Sequence, residues 1–179
     1  MDVATALYAS AAVLLVIAGV VKVMRPADTA ALLDDLGAPS LGSLGTVQVT
    51  FALGIFEIGL GVSALVTNIA AIAVVVGAVY VVFSATVLRA MRLGAGSCGC
   101  FGRVDAPPSW SHVIGNLALA GCAFVASAGS SPLEVMEKQP LAGVGFVILV
   151  GVLAGLGLIV FTALPEALDA RKPARGVRS

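Results

Sequence analysis

Residues 44–88, LGTVQVTFALGIFEIGLGVSALVTNIAAIAVVVGAVYVVFSATVL, decide the fold. Glu57 is the one formally charged residue among them, and Thr67-Asn68 forms a polar pause near the middle. An α-helix needs about twenty apolar residues to cross roughly 30 Å of hydrocarbon at 1.5 Å per residue. Leu44–Val66 and Ile69–Leu88 both reach that length, so the stretch predicts two spanning helices joined by a tight hairpin with a polar apex.

Working outward, Val3–Val21 precedes this hairpin, and His112–Ala128 and Leu141–Leu164 follow it, giving five predicted spans. The first run lacks a basic leader and is followed by four more apolar runs, which favours a retained span over a secretory signal. The fourth is the weakest: His112 and Asn116 occupy its entrance and Gly129-Ser130-Ser131-Pro132 closes it. It is expected to be tilted or sheltered by protein, and a four-span arrangement with this segment in the interface is the alternative.

Composition agrees with a chain solvated by lipid. Of 179 residues, 59% are hydrophobic and 11% charged, too few charges for an ordinary water-soluble domain. Ten basic and ten acidic side chains cancel, so nothing points to nucleic acid or to an acidic substrate. The expected fold class is all-α: an integral membrane bundle of five transmembrane helices over residues 1–165, with a basic cytoplasmic tail over 166–179. Pro26 can open a short helix whose apolar side carries Ala30, Leu32, Leu33 and Leu36, and Gly37 with Pro39 can close it. That predicts a short interfacial helix after the first span. Pro107 and Pro108 break the chain before the fourth span, Ser109 can cap it, and Trp110 suits headgroup depth.

Basic residues predict the orientation. With the N-terminus outside, Lys22, Arg25, Arg89, Arg92, Arg103, Arg171, Lys172, Arg175 and Arg178 are cytoplasmic and only Lys138 is outside, the asymmetry expected of a multi-pass cell-membrane protein. The loop Cys98 to Gly102 and the C-terminus then face the cytoplasm.

Chemistry concentrates at Cys98-Gly99-Cys100-Phe101-Gly102. Two sulfurs that approach about 2 Å can form a disulfide that opens when a thiolate attacks. One intervening residue makes a cramped ring, which Gly99 makes feasible and whose strain would raise the reduction potential. Arg103 would favour a thiolate if its guanidinium lies close. The competing readings are structural packing and binding of a soft metal. Two cysteines alone leave a tetrahedral set incomplete, and His112 and Cys122 are conjectural additions, so no metal site is assigned. Cys122 lies about 15 Å along its helix from the entrance. It reads as an ordinary small apolar residue, with a relay role as the alternative.

Glu57 lies inside the second span, with Gly54 and Gly61 on the same face. A carboxylate facing lipid is costly, so Glu57 is expected to face the bundle, protonated or paired, with His112, Asn116 and Tyr80 as candidate partners. It either handles a proton or contacts a quinone, or it locks helices together. His112 and Asn116 share a helix face and would point into the same polar pocket; the alternative is that His112 is simply an interfacial residue at the helix start. Gly151 and Gly155 have the spacing for close helix contact, within the chain or in a homo-oligomer.

These residues resemble the MauE-like family of membrane proteins associated with methylamine utilisation, within the broader DoxX-like group. The resemblance rests on Lys22, Arg25-Pro26, Leu36-Gly37-Ala38-Pro39, Glu57, Cys98 to Gly102, Trp110 and Asn116, and covers roughly Ala6 to Ala128. It implies a compact bundle, usually of four spans, with an accessory redox role supporting disulfide formation or maturation of an exported, thiol-containing partner. Cys98 and Cys100 would be the working centre, with Glu57 and Asn116 in support; the reading of the residues themselves adds His112 and Arg103 as supporting candidates. Such a centre is expected on the oxidising side, whereas the charges put it on the reducing side. Passing electrons to a quinone or across the bundle would reconcile the two. No cofactor is assigned with certainty. The expected function is therefore thiol-disulfide exchange serving a partner. A non-enzymatic subunit of a larger membrane complex is the alternative, and a small-solute or metal transporter ranks third.

Overall fold

The computed structural model describes residues 3–37, 45–95, 107–129, 132–138 and 140–163. Seven helices follow in order among these residues: α1 (Val3–Met24), α2 (Pro26–Asp35), α3 (Thr46–Val66), α4 (Ala70–Leu93), α5 (Trp110–Ala126), α6 (Pro132–Lys138) and α7 (Pro140–Thr162). α1, α3, α4 and residues Gly143–Thr162 of α7 are each long and apolar enough to cross a membrane, and α5 is a shorter apolar helix. Its 17 residues reach about 25 Å at 1.5 Å per residue, short of a full hydrocarbon core. The chain is a helical membrane bundle.

All five apolar runs are helices, with shifted ends. α1 continues through Lys22 to Met24 and α4 runs on to Leu93, so Lys22, Arg89 and Arg92 sit on helices rather than in connections. The expected short helix is present as α2. It begins at Pro26 and is followed by Gly37 at φ 63°, a left-handed residue that glycine adopts without strain. Its buried Leu32, together with Leu36, packs against Ala90 of α4. The seven-residue α6 was not foreseen. Pro132, read as part of a closing turn, instead opens a helix, the position at which a missing N–H costs nothing.

α1 runs through the centre and packs on α3, α5 and α7. Its contact with α3 is made by glycines. A Cβ on Gly19 would lie 2.6 Å from the Gly54 carbonyl oxygen, and one on Gly61 would lie 2.7 Å from that of Ala12, so the two backbones touch where side chains are missing. The pairing of 19 with 54 and 12 with 61 makes the helices antiparallel. The buried face of α3 is Thr50, Gly54, Glu57, Gly61 and Ala64, a 4-3-4-3 spacing that keeps one stripe against its neighbour. On the other side, Tyr8, Ala11, Ala12 and Leu15 of α1 join Val76 and Tyr80 of α4 and Ala120 and Ala123 of α5 in the largest apolar cluster.

Candidate functional site

Glu57 is fully buried on the glycine face of α3, as expected for a carboxylate in a spanning helix. Its partner was not expected. The Lys22 ammonium donates a hydrogen bond to Glu57 Oε2 at 2.9 Å, and the two side chains are 0% and 4% exposed for Glu57 and Lys22 respectively. Close approach of the backbones at Gly19 and Gly54 makes this pair reachable: a Cβ on Gly54 would touch Lys22 Cβ at 3.0 Å, and one on Gly19 would touch Glu57 Cβ at 3.0 Å. The ammonium also lies 5.5 Å from the centroid of the Phe83 ring, within range of a cation-π attraction that desolvation strengthens. Glu57 Oε1 and Thr50 Oγ1, two turns apart on α3, are buried without a hydrogen-bond partner among the described residues.

The three partners proposed for Glu57 from sequence are engaged elsewhere or face a separate space. The Tyr80 hydroxyl donates to the Ala11 carbonyl at 2.7 Å. His112 is 1% exposed. Its Nε2 is 2.8 Å from the Phe161 carbonyl oxygen and its Nδ1 is 2.8 Å from Ser109 Oγ. Ser109 stands at the helix start as expected, but its hydroxyl meets the His112 ring and Ser111 Oγ instead of capping a backbone N–H. Asn116 is 5% exposed, and among the described residues its carboxamide has no hydrogen-bond partner. With Tyr80, Phe83, His112 and Phe161 it lines a cavity of about 20 Å³ closed by Leu14, Leu15 and Ala18. His112 and Asn116 therefore do share a pocket, but one whose lining is mostly apolar and from which Glu57 is absent. The ring of Phe83 connects it to the charged pair, since the ring lines the cavity and also faces Lys22.

Lys22 is the partner of Glu57 that sequence reasoning missed, because a lysine near the end of a span reads as a flank that snorkels to water. A signal was present. Gly19 precedes Lys22 by three positions, as Gly54 precedes Glu57, so each charge sits one turn beyond a small residue suited to close packing.

Cys98, Cys100 and Arg103 lie outside the described residues. The helix ends that flank them are described. α4 ends in Gly94 at φ 68°, with the Ala95 N–H bonded to the Ala90 carbonyl. α5 enters through Pro107, Pro108 and Ser109, and the two helices are tied by Ser84 Oγ donating to the Val113 carbonyl at 3.2 Å and by Val87 against Val113. Arg89, one turn before the end of α4, donates to the Leu36 carbonyl at 2.6 Å. Cys122 is a half-buried free thiol in α5. Among the described residues no group of three or more His, Cys, Asp or Glu side chains is placed to hold a metal ion.

Fold and site together define an integral membrane helical protein with a charged pair enclosed between two of its spanning helices. Residues 2–129 match the family described as methylamine utilisation protein MauE, and the chain belongs to that family. No curated protein and no solved structure matches it. The matched region ends at the close of α5, so α6 and α7 lie beyond it.

Proposed function

We propose that this chain is a membrane accessory protein of methylamine utilisation that performs thiol-disulfide exchange on a partner protein through Cys98 and Cys100. The observation that carries the reading is the Lys22–Glu57 pair, buried in the half of the bundle whose helix ends flank the cysteine motif. Enclosing two charges costs several kcal/mol per ion before their attraction is counted, and apolar residues of similar volume commonly replace such a pair without loss of stability. Ionisable groups inside spanning segments accordingly mark function.

In the exchange, a partner thiolate attacks one sulfur of the Cys98–Cys100 disulfide, and the other cysteine leaves as a thiolate. A second partner thiolate then attacks the partner sulfur of the mixed disulfide and releases the bound cysteine. One disulfide is broken and one is formed. The partner loses two electrons, and two protons pass to the cysteine thiolates. Glu57, held by Lys22, is the proton-handling group, with His112 and Asn116 in the neighbouring cavity supporting it. The cavity beside His112 and Asn116, about 20 Å³, has room for about one water and not for a quinone ring. Cys122 is assigned no relay role.

The orientation with the N-terminus outside belongs to the same proposal. Enclosure of Lys22 removes it from the flanking charges and leaves eight basic residues on the proposed cytoplasmic side against Lys138. A non-enzymatic subunit role is the second reading. It is favoured by the open faces of Gly151 and Gly155, where a Cβ would meet nothing within 4 Å.

In a Cys100→Ser chain the Cys98 thiol has no resolving neighbour, so a reductant-sensitive adduct with the partner is expected on non-reducing gels. If Cys98→Ser and Cys100→Ser chains both sustain partner maturation at the wild-type level, the exchange mechanism is wrong and the subunit reading replaces it.

A further inference from the structure

Asn116 is a buried polar group that none of the ties between helices uses. It is 5% exposed, its carboxamide has no hydrogen-bond partner among the described residues, and it lines the cavity of about 20 Å³ enclosed by α1, α4, α5 and Phe161 of α7. The other polar side chains on that cavity are engaged. Both ring nitrogens of His112 are taken, by Ser109 Oγ and by the Phe161 carbonyl, at 2.8 Å each. The Tyr80 hydroxyl gives its hydrogen to the Ala11 carbonyl at 2.7 Å. A carboxamide carries two N–H donors and an oxygen acceptor, and enclosing them unpaired costs their desolvation. Hydrocarbon outside the bundle offers nothing to relieve that cost.

Size and charge define what the cavity takes. One water needs about 10–15 Å³ of such space, so about 20 Å³ admits a single water and excludes a second. An ammonium ion is of similar size, but no acidic side chain is among the described residues that line the space. The Phe83 ring on its wall already faces the Lys22 ammonium, 5.5 Å from the ring centroid, so a second cation would add like charge. The carboxylate nearest that ammonium, Glu57, is paired with it. An anion meets no lysine or arginine on the wall either. The occupant is therefore neutral. An entirely apolar cavity stays dry, whereas a carboxamide on the wall offers water both a donor and an acceptor.

We propose that this cavity holds one ordered water, which accepts a hydrogen bond from the Asn116 carboxamide and donates one to the Tyr80 phenolic oxygen. A hydroxyl that donates can accept as well, so the Tyr80–Ala11 bond stays intact. The water ties α5 to α4 and, through Tyr80, to α1. This site is independent of the thiol chemistry proposed above.

The chain has two asparagines, Asn116 and Asn68, and Asn68 is exposed between α3 and α4. Full-length protein labelled with heavy nitrogen at asparagine alone, in detergent micelles, therefore gives two carboxamide signals in a magnetic resonance spectrum, and Asn116→Leu identifies the buried one. Cross-relaxation from water to the Asn116 carboxamide is expected, and it should survive a soluble paramagnetic chelate that erases the Asn68 signal. Ala18→Val fills the space from α1 and is expected to abolish the transfer at Asn116 while leaving that at Asn68. Absence of transfer at Asn116 in the wild-type chain, or its loss together with Asn68 when the chelate is added, overturns the enclosed water. A shift of the Asn116 signal that saturates with ammonium chloride and not with sodium chloride overturns the neutral occupant. Transfer at full strength in a folded Ala18→Val chain overturns the location. If either variant does not fold, the chelate still tells the two signals apart and the wild-type chain decides.

Discussion

α1 and α7 are both uninterrupted apolar helices, and a scale of hydrophobicity would rank α7 the more deeply buried. The bundle reverses that order. Over the most apolar stretch of each, 61% of residues are buried in α1 and 22% in α7. The difference lies in size rather than polarity. α1 presents Ala9, Ala11, Ala12, Ala18 and Gly19 to its neighbours, whereas Val144, Val147, Ile148, Val152, Leu156 and Ile159 of α7 are each more than half exposed to the surroundings. Among lipid tails an apolar side chain gains little by moving inward, so close backbone approach selects the central helix. α1 then takes the charged pair with it, because only a helix pressed against α3 can bring an ammonium to Glu57.

The hardest blow to this contrast is to unpair the charges. Glu57→Leu removes the carboxylate that meets the enclosed Lys22 ammonium at 2.9 Å and is expected to cost about 3–5 kcal/mol, read by unfolding in detergent. A Lys22→Met, Glu57→Leu double substitution is expected to recover most of that loss. A neutral single substitution would show that the pair is not enclosed in the folded protein. A smaller effect is expected from Gly19→Ala, whose methyl would lie 2.6 Å from the Gly54 carbonyl oxygen and 2.9 Å from Ile58 Cγ1. α1 and α3 must part to admit it, at about 1–3 kcal/mol. The smallest belongs to α7: Gly151→Ala and Gly155→Ala add methyls to open space and are expected to change stability by less than about 0.5 kcal/mol. A loss well above that in the membrane, absent in dilute detergent, would reveal a second helix on this face.

The helices were legible in the sequence because twenty-residue apolar runs have few other structures open to them. So was the inward face of Glu57, since lipid excludes its charge. Its partner was not legible. Lys22 and Glu57 are 35 positions apart, and which turn of α1 meets which turn of α3 is set by Gly19, Gly54 and Gly61 together, a register that hydropathy does not encode. Gly151 and Gly155 show the converse. Their spacing suits close packing, yet among the described residues nothing packs on them, because a spacing rule names a face without naming what covers it. Asn116 and His112 do line one cavity, but not the Glu57 pocket expected of them. The tie from His112 to Phe161 was not foreseen, because its acceptor is a backbone oxygen and any residue could have supplied it.

That tie has a consequence for proton bookkeeping. A peptide oxygen only accepts, so the imidazole nitrogen facing Phe161 must carry hydrogen in every ionisation state that keeps the bond. The neutral ring is thereby restricted to a single tautomer, and uptake or release of a proton occurs solely at the nitrogen beside Ser109. Whatever acid-base change this imidazole undergoes is therefore felt first by the two serines at the threshold of α5, and reaches α7 only through the ring.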